Sequence, residues 1–257
     1  MQVYSIQSIL ENTISESICA CWQIARQSVI MVLYFEKQNN SSLTDKTKKE
    51  MDQMEKMVQQ PLLQKAIVFA AMKHEGYVRK GTTIPYFTHV MEAMEIVSRM
   101  TEDEEVRAAA VLHDTLEDTP TTNAELEHFF GKRVTDLVAA ESENKRRDQP
   151  ETATWLERKL ETIQHLEKAK TEIRMIALGD KLSNVRAMYR DYQKDGDKLW
   201  EKFNNPDPKA QGKYYCSLAN AFWDDEDIHK TPAFREYSDL CAEIFHVERD
   251  QNGKFVV

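Results

Sequence analysis

The stretch that decides the expected fold spans residues 108–119 and reads Ala108-Ala-Ala-Val-Leu-His113-Asp114-Thr-Leu-Glu117-Asp118-Thr119. Its alanine- and leucine-rich first half predicts a buried helix, and four ionisable side chains follow at its end. Residues i and i+4 share a face of a helix, so His113 is expected beside Glu117 and Asp114 beside Asp118. Carboxylates this close repel one another unless a cation or a solvated cleft offsets their charge. An exposed helix end would explain Glu117 and Asp118, but it would leave a His-Asp pair between two leucines.

Apolar residues keep this helical spacing along the chain from Pro61 onward. Amphipathic helices are predicted over residues 62–73, 90–100, 104–117, 123–130, 134–140, 154–168, 171–191, 214–222 and 233–247. No run of alternating β-branched residues is long enough to predict a sheet. The 257 residues include only seven glycines and contain neither GxGxxG nor GxxxxGKS/T, which excludes a Rossmann fingerprint and a Walker A loop. The sequence therefore predicts an all-α helical bundle.

Composition and charge limit the partners of the protein. Asp and Glu number 43 against 34 Lys and Arg, which gives a formal net charge of −9. Binding to nucleic acid needs a basic face that neutralises phosphates, so no nucleic-acid partner is expected, although a few local Lys and Arg can hold a small anionic ligand. The four cysteines form no CxxC pair, which favours a reducing, cytoplasmic compartment. The composition leaves the oligomeric state open.

The first part of the chain differs from the rest. Residues 1–57 are predicted to be an N-terminal appendage and linker of unassigned role, and residues 58–250 are predicted to form the functional domain. The apolar run over residues 18–35 is interrupted by Gln23 and Arg26, and its uninterrupted part is too short to span a bilayer. We therefore expect neither a membrane segment nor a signal peptide.

Polar residues interrupt two further apolar patterns. Asp180 and Asn184 share the apolar face of the predicted helix at residues 171–191. A buried carboxylate needs a partner, for which Lys181, Arg186 or a local cap are the candidates within the chain. His89 opens a predicted helix after a basic turn, and a histidine in that position is by itself more often a core residue than a ligand.

Considered together, these positions form a donor set of two imidazoles and two carboxylates. The set consists of His89, His113, Asp114 and Asp180. Mixed nitrogen and oxygen donors of this kind suit a divalent transition metal such as Mn²⁺, Fe²⁺ or Zn²⁺.

The order of a lone His, a His-Asp pair and a distant Asp resembles the HD superfamily of metal-dependent phosphohydrolases. The resemblance extends to the (p)ppGpp hydrolase domain of Rel/SpoT-type stringent-response enzymes, and it is closest to their free-standing form, the small alarmone hydrolases. It covers roughly residues 58–247. The motifs read Arg79-Lys80…Pro85-Tyr86-x-x-His89, His113-Asp-Thr-x-Glu117-Asp118-Thr, Phe130-Gly131 and Asp180-Lys-Leu-x-Asn184-x-Arg186.

The resemblance implies an HD-domain bundle around a single metal site and a role for each matching residue. Glu117 and Asp118 would position and deprotonate the attacking water. One Mn²⁺ would be bound by His89, His113, Asp114 and Asp180. The implied reaction is hydrolysis of the 3′-pyrophosphate of ppGpp or pppGpp to GDP or GTP and pyrophosphate.

The resemblance also implies contacts to this small nucleotide substrate. Arg79 and Lys80 match positions that contact the guanine base and the phosphates, and their side chains suit stacking on a purine and pairing with a phosphate. Asn184 matches a ribose contact. Tyr214 matches a tyrosine near the nucleotide, and core packing is the equal alternative for it.

Two departures keep other functions open. Tyr77 stands where the family usually has Gln, and Ala187 stands at a position that is often a polar nucleotide contact. All the residues that the resemblance assigns to the metal and to the attacking water are present, whereas positions that would contact the base differ from the family pattern. The alternatives are an HD phosphohydrolase acting on another nucleotide such as NADPH or ppApp, and a non-catalytic metal-binding helical module. The basic residues at 145–147 and 158–159 are candidates for further phosphate contacts, or are solvated surface charges.

Overall fold

The computed structural model describes residues 61–143, 145–146 and 148–257. The predicted appendage at residues 1–57 lies outside these ranges. Among the described residues, β structure is limited to two isolated bridges, Val78 with Pro85 and Arg249 with Phe255. The helices are α1 (Leu62–Lys73), α2 (Phe87–Ser98), α3 (Glu104–Leu112), α4 (Thr115–Asp118), α5 (Asn123–Phe130), α6 (Lys132–Glu141), α7 (Glu151–Lys168), α8 (Thr171–Asp195), a 3-10 helix (Gly196–Lys202), α9 (Pro208–Trp223), α10 (Glu226–His229) and α11 (Pro232–Phe245). The predicted all-α class is confirmed.

Polar side chains fix where several helices begin. The carboxylate of Asp103 accepts hydrogen bonds from the backbone N–H groups of the first turn of α3, and Asp207 and Thr231 do the same at α9 and α11. Pro208 and Pro232 occupy the first position of α9 and α11, where a missing N–H costs no hydrogen bond. These caps extend α9 six residues upstream of the predicted start at residue 214, because periodicity alone does not detect a polar first turn.

The helix predicted over residues 104–117 is wrong in one respect, because it is interrupted after Leu112. Asp114 has φ −90° and ψ −2°, away from α-helical values, and it becomes the residue before α4. The hydroxyl of Thr115 donates to the carbonyl of Leu112 at 2.6 Å, so a side chain satisfies a carbonyl at the end of α3. The regular i, i+4 stacking expected for His113 over Glu117 is therefore not the organising geometry of this stretch.

Close contact between α2 and α8 sets the geometry of the site. Helix α8 packs against α2, α3, α6 and α11. A methyl group at Gly179 would lie 2.7 Å from Cγ2 of Val97 and 2.8 Å from the carbonyl oxygen of Ala93. Glycine therefore permits an approach of the two helices that any larger residue would prevent. His89 on α2 and Asp180 on α8 come together through this contact.

Within the described ranges, we find no helix with the length and hydropathy that a bilayer span requires.

Candidate active site

Four side chains that are distant in sequence converge on one point. His89 lies on α2, His113 and Asp114 lie between α3 and α4, and Asp180 lies on α8. The Nε2 atom of His89 is 3.2 Å from Oδ1 of Asp180 and 3.4 Å from Oδ2 of Asp114. The Nε2 atom of His113 is 2.9 Å from Oδ2 of Asp114 and 3.7 Å from Oδ1 of Asp180. The donor set predicted from the sequence is thus assembled in the fold.

Hydrogen bonds to the far side of each imidazole orient the two histidines. The Nδ1 atom of His113 lies 2.8 Å from the carbonyl oxygen of Ala110, which can only accept, so Nδ1 carries the proton. The Nδ1 atom of His89 lies 2.8 Å from Oγ of Ser183, whose hydroxyl donates to Oε2 of Glu92 at 2.7 Å. Ser183 therefore accepts from Nδ1 of His89. Each Nε2 atom therefore faces the cluster, where it offers a lone pair once it carries no proton.

This geometry fits a divalent cation. The Nε2 atom of His113 is buried and lies 2.9 Å from Oδ2 of Asp114 without making a regular hydrogen bond, although a buried ring nitrogen usually makes one. Atoms of His89, His113 and Asp180 lie within 4.8 Å of one another, and Asp114 adds a second carboxylate beside them. With both Nε2 atoms unprotonated, as metal binding requires, two imidazoles and two carboxylates would form a donor set with net negative charge, which a divalent ion would balance.

Residues outside the donor set form hydrogen bonds or ion pairs with the two carboxylates of the cluster. The hydroxyl of Tyr86 donates to Oδ2 of Asp114 at 2.6 Å. Asp180 accepts from the Nδ2 group of Asn184 at 2.5 Å on Oδ1, and its Oδ2 pairs with Lys181. Burial alone would raise the pKa of Asp180, but the charge of Lys181 opposes it and the pKa is well below its usual range. Asp180 is therefore ionised, as a metal ligand must be.

Glu117 and Asp118 lie beside the cluster and pair with one lysine. The Nζ atom of Lys145 is 3.3 Å from Oε1 of Glu117 and forms an ion pair with Oδ1 of Asp118. Burial and the nearby charge of Asp114 raise the pKa of Glu117, whereas Lys145 lowers it. A carboxylate with a raised pKa beside a metal cluster is suited to accept a proton from water.

A cavity of about 490 Å³ opens onto these carboxylates. It is lined on one side by His113, Asp114, Glu117, Asp118 and Asp180, and elsewhere by Glu141, Lys159, Lys181 and Tyr214. A second cavity of about 410 Å³ is lined by Arg79, Lys80, Thr88, Ala187 and Lys202 and reaches His89. Lys80, Tyr86 and Asn184 line both cavities. Two neighbouring cavities therefore open close to the cluster.

Of the predicted substrate contacts, Lys80 and Asn184 line both cavities, Arg79 lines only the second and Tyr214 only the first. The guanidinium of Arg79 lies 5.9 Å from the ring centre of Tyr86 and donates to Oδ1 of Asn184 at 3.0 Å. Lys80 donates to Oδ1 of Asn204 at 2.7 Å. Tyr214 lies in the middle of α9, is only 5% exposed and belongs to the hydrophobic core, although it also lines the first cavity.

The basic residues considered as phosphate contacts have partners within the chain. Lys145 pairs with Glu117 and Asp118, and Arg146 with Glu157 and Glu161. Arg158 and Lys159 both pair with Glu143. Arg147 lies outside the described residues. The sequence identified these residues as a basic group and did not identify the acidic residues that they face.

Sequence reasoning did not assign a role to three side chains near the cluster. Tyr86 lies three residues before His89, and this spacing indicates that the two side chains are neighbours. Ser183 lies three residues after Asp180 and shares its helical face. Glu141 gave no signal, since it follows a run of apolar residues at the end of α6 and reaches the cavity only through the fold.

Comparison with known proteins adds three similarities. A family model described as HD domain matches residues 66–208. A guanosine-3′,5′-bis(diphosphate) 3′-pyrophosphohydrolase MESH1 of Danio rerio is 35% identical over 134 residues, which cover 50% of this chain and 70% of that protein. A GTP pyrophosphokinase rsh of Brucella ovis is 32% identical over 131 residues, which cover 51% of this chain and only 17% of the length of the Brucella protein.

A solved structure is also similar. A crystal structure of a protein from Listeria monocytogenes shares 31% sequence identity and a TM-score of 0.51, with 63% of this chain and 96% of that chain covered. The similarity extends over nearly the whole of the Listeria chain, so the helical fold is shared.

Proposed function

The chain belongs to the HD-domain family, and from that membership we propose that it is a metal-dependent phosphohydrolase that removes the 3′-pyrophosphate of ppGpp or pppGpp. One observation carries the proposal: four donor side chains converge on a single point at the edge of a cavity that also contains two further carboxylates. The name of the Danio rerio relative supports the choice of reaction. The chain shares its family with a hydrolase and has the matching side chains at its site. Both facts favour this hydrolysis.

The proposed cofactor is one Mn²⁺, held by His89, His113, Asp114 and Asp180. When bound, such an ion supplies positive charge that polarises a phosphoryl oxygen and makes water more acidic. The chain contributes preorganisation, because both Nε2 atoms and a carboxylate oxygen of each aspartate already face one point. Imidazole and carboxylate donors in equal number suit Mn²⁺ better than a thiolate-rich site would.

Glu117 and Asp118 are proposed to orient the attacking water and to accept its proton. The oxygen of that water forms a bond to the phosphorus attached to the 3′-oxygen, and the bond between this phosphorus and the 3′-oxygen breaks. The products are GDP or GTP with a free 3′-hydroxyl group, and pyrophosphate. One proton of the water passes to the carboxylate pair, and the departing 3′-oxygen takes a proton from solvent.

The substrate is proposed to lie across the boundary between the two cavities. Arg79 suits stacking on the base, Lys80 suits a phosphate, Asn184 suits the ribose, and Tyr214 would contact the nucleotide through the wall of the first cavity. Lys181 adds positive charge beside the cluster. The described cysteines are free and buried, which agrees with a small-nucleotide enzyme of the reducing cytoplasm.

The test is to incubate the purified full chain with Mn²⁺ and, in separate reactions, ppGpp, pppGpp, ppApp and NADPH, and to resolve the products by ion exchange. We expect pyrophosphate together with GDP or GTP from the two guanosine substrates. The metal content is measured on the same preparation, with one ion per chain expected.

Three other results would change the proposal. Release of pyrophosphate from ppApp alone would mean that the enzyme recognises adenine rather than guanine. Release of phosphate from NADPH alone would mean that the cleaved group is a ribose phosphate rather than a 3′-pyrophosphate. If a metal-loaded preparation released no product from any of the four nucleotides, the chain would be a metal-binding module and not a hydrolase of this class.

A further inference from the structure

Lys145 links the two carboxylates that the proposed reaction needs. Its ammonium group lies 3.3 Å from Oε1 of Glu117 and pairs with Oδ1 of Asp118. The side chains of Lys145, Glu117 and Asp118 are 24%, 19% and 25% exposed. Solvent and salt therefore screen these contacts less than they screen an ion pair on an open surface.

The same segment holds Glu117 by a second contact. The backbone N–H of Glu143 donates to Oε2 of Glu117 at 3.0 Å. Both oxygens of the Glu117 carboxylate therefore face donors from the segment that follows α6. A carboxylate held through both oxygens has a fixed orientation, which a group that must accept a proton from one particular water requires.

Helix α7 anchors this segment through the side chain of Glu143. One oxygen of Glu143 pairs with Arg158, and the other lies 2.7 Å from Nζ of Lys159 and 3.4 Å from the hydroxyl of Thr162. Arg158 is 7% exposed and Glu143 is 14% exposed. A partly buried charge pair with several donors resists displacement, because removal of one partner leaves the other uncompensated.

Charge explains why a lysine is needed here. Carboxylates of Asp114, Glu117, Asp118, Glu141 and Asp180 line one cavity. A divalent ion would balance the carboxylates that bind it, whereas Glu117 and Asp118 would remain as two adjacent negative groups. Two adjacent negative groups repel each other and turn apart unless a cation between them offsets the charge, and Lys145 contacts both.

We propose that Lys145 is a positioning residue for the water-activating carboxylates: by pairing with both it holds Glu117 and Asp118 in a fixed orientation, while Glu143 fixes the segment that carries it to Arg158 and Lys159. This inference rests on the proposed hydrolase function. Its competitor is the interpretation of Lys145 as a phosphate ligand. The two differ in whether the charge of Lys145 acts on carboxylates of the chain or on the substrate.

The test compares Lys145→Met, Lys145→Arg and a control, Lys132→Met, which removes a lysine that pairs with Asp136 on the open surface. With ppGpp and Mn²⁺, we expect Lys145→Met to lower kcat by about 10–100-fold, within the range for impaired acid–base catalysis, and to change KM by less than about twofold. Lys145→Arg should recover most of the lost kcat because it restores the charge. All variants should keep one metal ion per chain, and Lys132→Met should match the parent.

A tenfold or larger rise in KM with an unchanged kcat would overturn the inference in favour of phosphate binding. Unchanged kcat and KM in Lys145→Met would remove any role for Lys145.

A measurement without substrate separates this inference from the proposed function. Crystal structures of the metal-free parent, Lys145→Met and Lys132→Met are determined, and the side-chain rotamers of Glu117 and Asp118 are compared. Lys145→Met should turn at least one of the two carboxylates away from its parental orientation, since the shared cation is lost, and Lys132→Met should leave both in place. Turned carboxylates in a protein that hydrolyses no nucleotide would contradict the proposed function alone. Unmoved carboxylates in an active Lys145→Met enzyme would contradict the role of Lys145 alone.

Discussion

The hydroxyl of Tyr86 donates a 2.6 Å hydrogen bond to Oδ2 of Asp114, and this same oxygen lies 3.4 Å from Nε2 of His89 and 2.9 Å from Nε2 of His113. A donor on a candidate ligand oxygen fixes the direction of its remaining lone pair. His74 packs against the ring of Tyr86 with centroids 5.1 Å apart, which holds the phenol in place. The position of the candidate metal therefore depends on a residue that is not itself in the donor set.

Tyr86→Phe should weaken Mn²⁺ binding about 10–100-fold, because loss of an outer hydrogen bond frees the Asp114 carboxylate to rotate. Isothermal titration calorimetry of the metal-free protein with Mn²⁺ measures this directly. Tyr189→Phe is the matched control, since its hydroxyl donates to Glu243 on the surface. Equal Mn²⁺ affinity in Tyr86→Phe and the parent would show that the hydrogen bond does not support the ligand.

Ser183→Ala should also reduce Mn²⁺ affinity about 10–100-fold, through the other side of the cluster. The change removes the acceptor of the Nδ1 proton of His89 and leaves Glu92 without its hydroxyl donor. The imidazole can then adopt the other tautomer, in which Nε2 carries a proton and cannot bind a metal. The same calorimetric titration applies, with Ser98→Ala as a control whose hydroxyl bonds only within α2. A similar loss in both variants would point to a general effect on folding.

Metal binding and water activation should separate by mutation. Asp114→Ala should abolish both metal retention and activity, because it removes a proposed ligand. Glu117→Ala and Asp118→Ala should retain one ion per chain and lose about 10²–10⁴-fold in kcat. Metal content by elemental analysis and turnover of ppGpp are measured on each variant. Unchanged turnover in both Glu117→Ala and Asp118→Ala would show that the division of roles is wrong.

Gly179→Ala should damage stability and metal affinity together. The new methyl group would lie 2.7 Å from Val97 and 2.8 Å from the backbone oxygen of Ala93, so α2 and α8 must move apart. Overpacking of this kind typically costs about 1–3 kcal/mol of unfolding free energy. The separation also moves His89 from Asp180, so Mn²⁺ affinity should fall at least about tenfold.

The control for Gly179 is Gly212→Ala on α9. There the three atoms nearest the added methyl group belong to the side chain of Phe245, the closest at 3.1 Å, and no backbone atom is among them. Thermal unfolding and calorimetry of the two variants give the comparison. A Gly179→Ala protein with parental Mn²⁺ affinity would show that the helix contact does not set the geometry of the site.

Glu141 should make the metal-free protein less stable as the pH rises. Burial raises the pKa of Glu141 from its ordinary value of 4.5 to about 8, although the positive charge of Lys181 acts in the opposite direction. Below pH 4.5 both the folded and unfolded states hold the proton, so there is no cost. Between 4.5 and 8 only the unfolded state releases it, so the unfolding free energy falls, and above 8 the penalty is constant.

Glu141→Gln removes this penalty. At pH 7 in EDTA, the variant should be more stable than the parent by about 3 kcal/mol, and at pH 4 the two should unfold alike. Denaturant unfolding at the two pH values provides the measurement, and Glu127→Gln on the surface of α5 should change neither. A gain of equal size at pH 4 would mean that ionisation of Glu141 is not the cause.

The sequence was sufficient to predict the all-α class and the composition of the candidate metal cluster. Helical periodicity follows from which side chains are apolar, and each predicted segment contains a helix, although the one at residues 104–117 is interrupted. The donor set could be predicted because His113, Asp114 and Asp180 interrupt apolar helix faces, where burying an unpaired polar group costs free energy. Those features are local in the chain, so no tertiary information was needed.

The interruption at Asp114 and the roles of Tyr86 and Ser183 were not predictable in the same way. The spacing of apolar residues predicts one helix over residues 104–117, because it shows which side chains share a helix face and carries no information on backbone angles. Tyr86 and Ser183 bond to residues 28 and 94 positions away, so their partners depend on how α2, α4 and α8 pack.

The sequence by itself determined which residue types can bind a metal and that they lie on helices. Only the tertiary structure decided which charges face each other. Lys145, Arg158 and Lys159 formed an unassigned basic group in the sequence, and in the fold they meet Glu117, Asp118 and Glu143. A charged side chain is long and its pairing depends on distance in space, whereas helical spacing reports only neighbours along the chain.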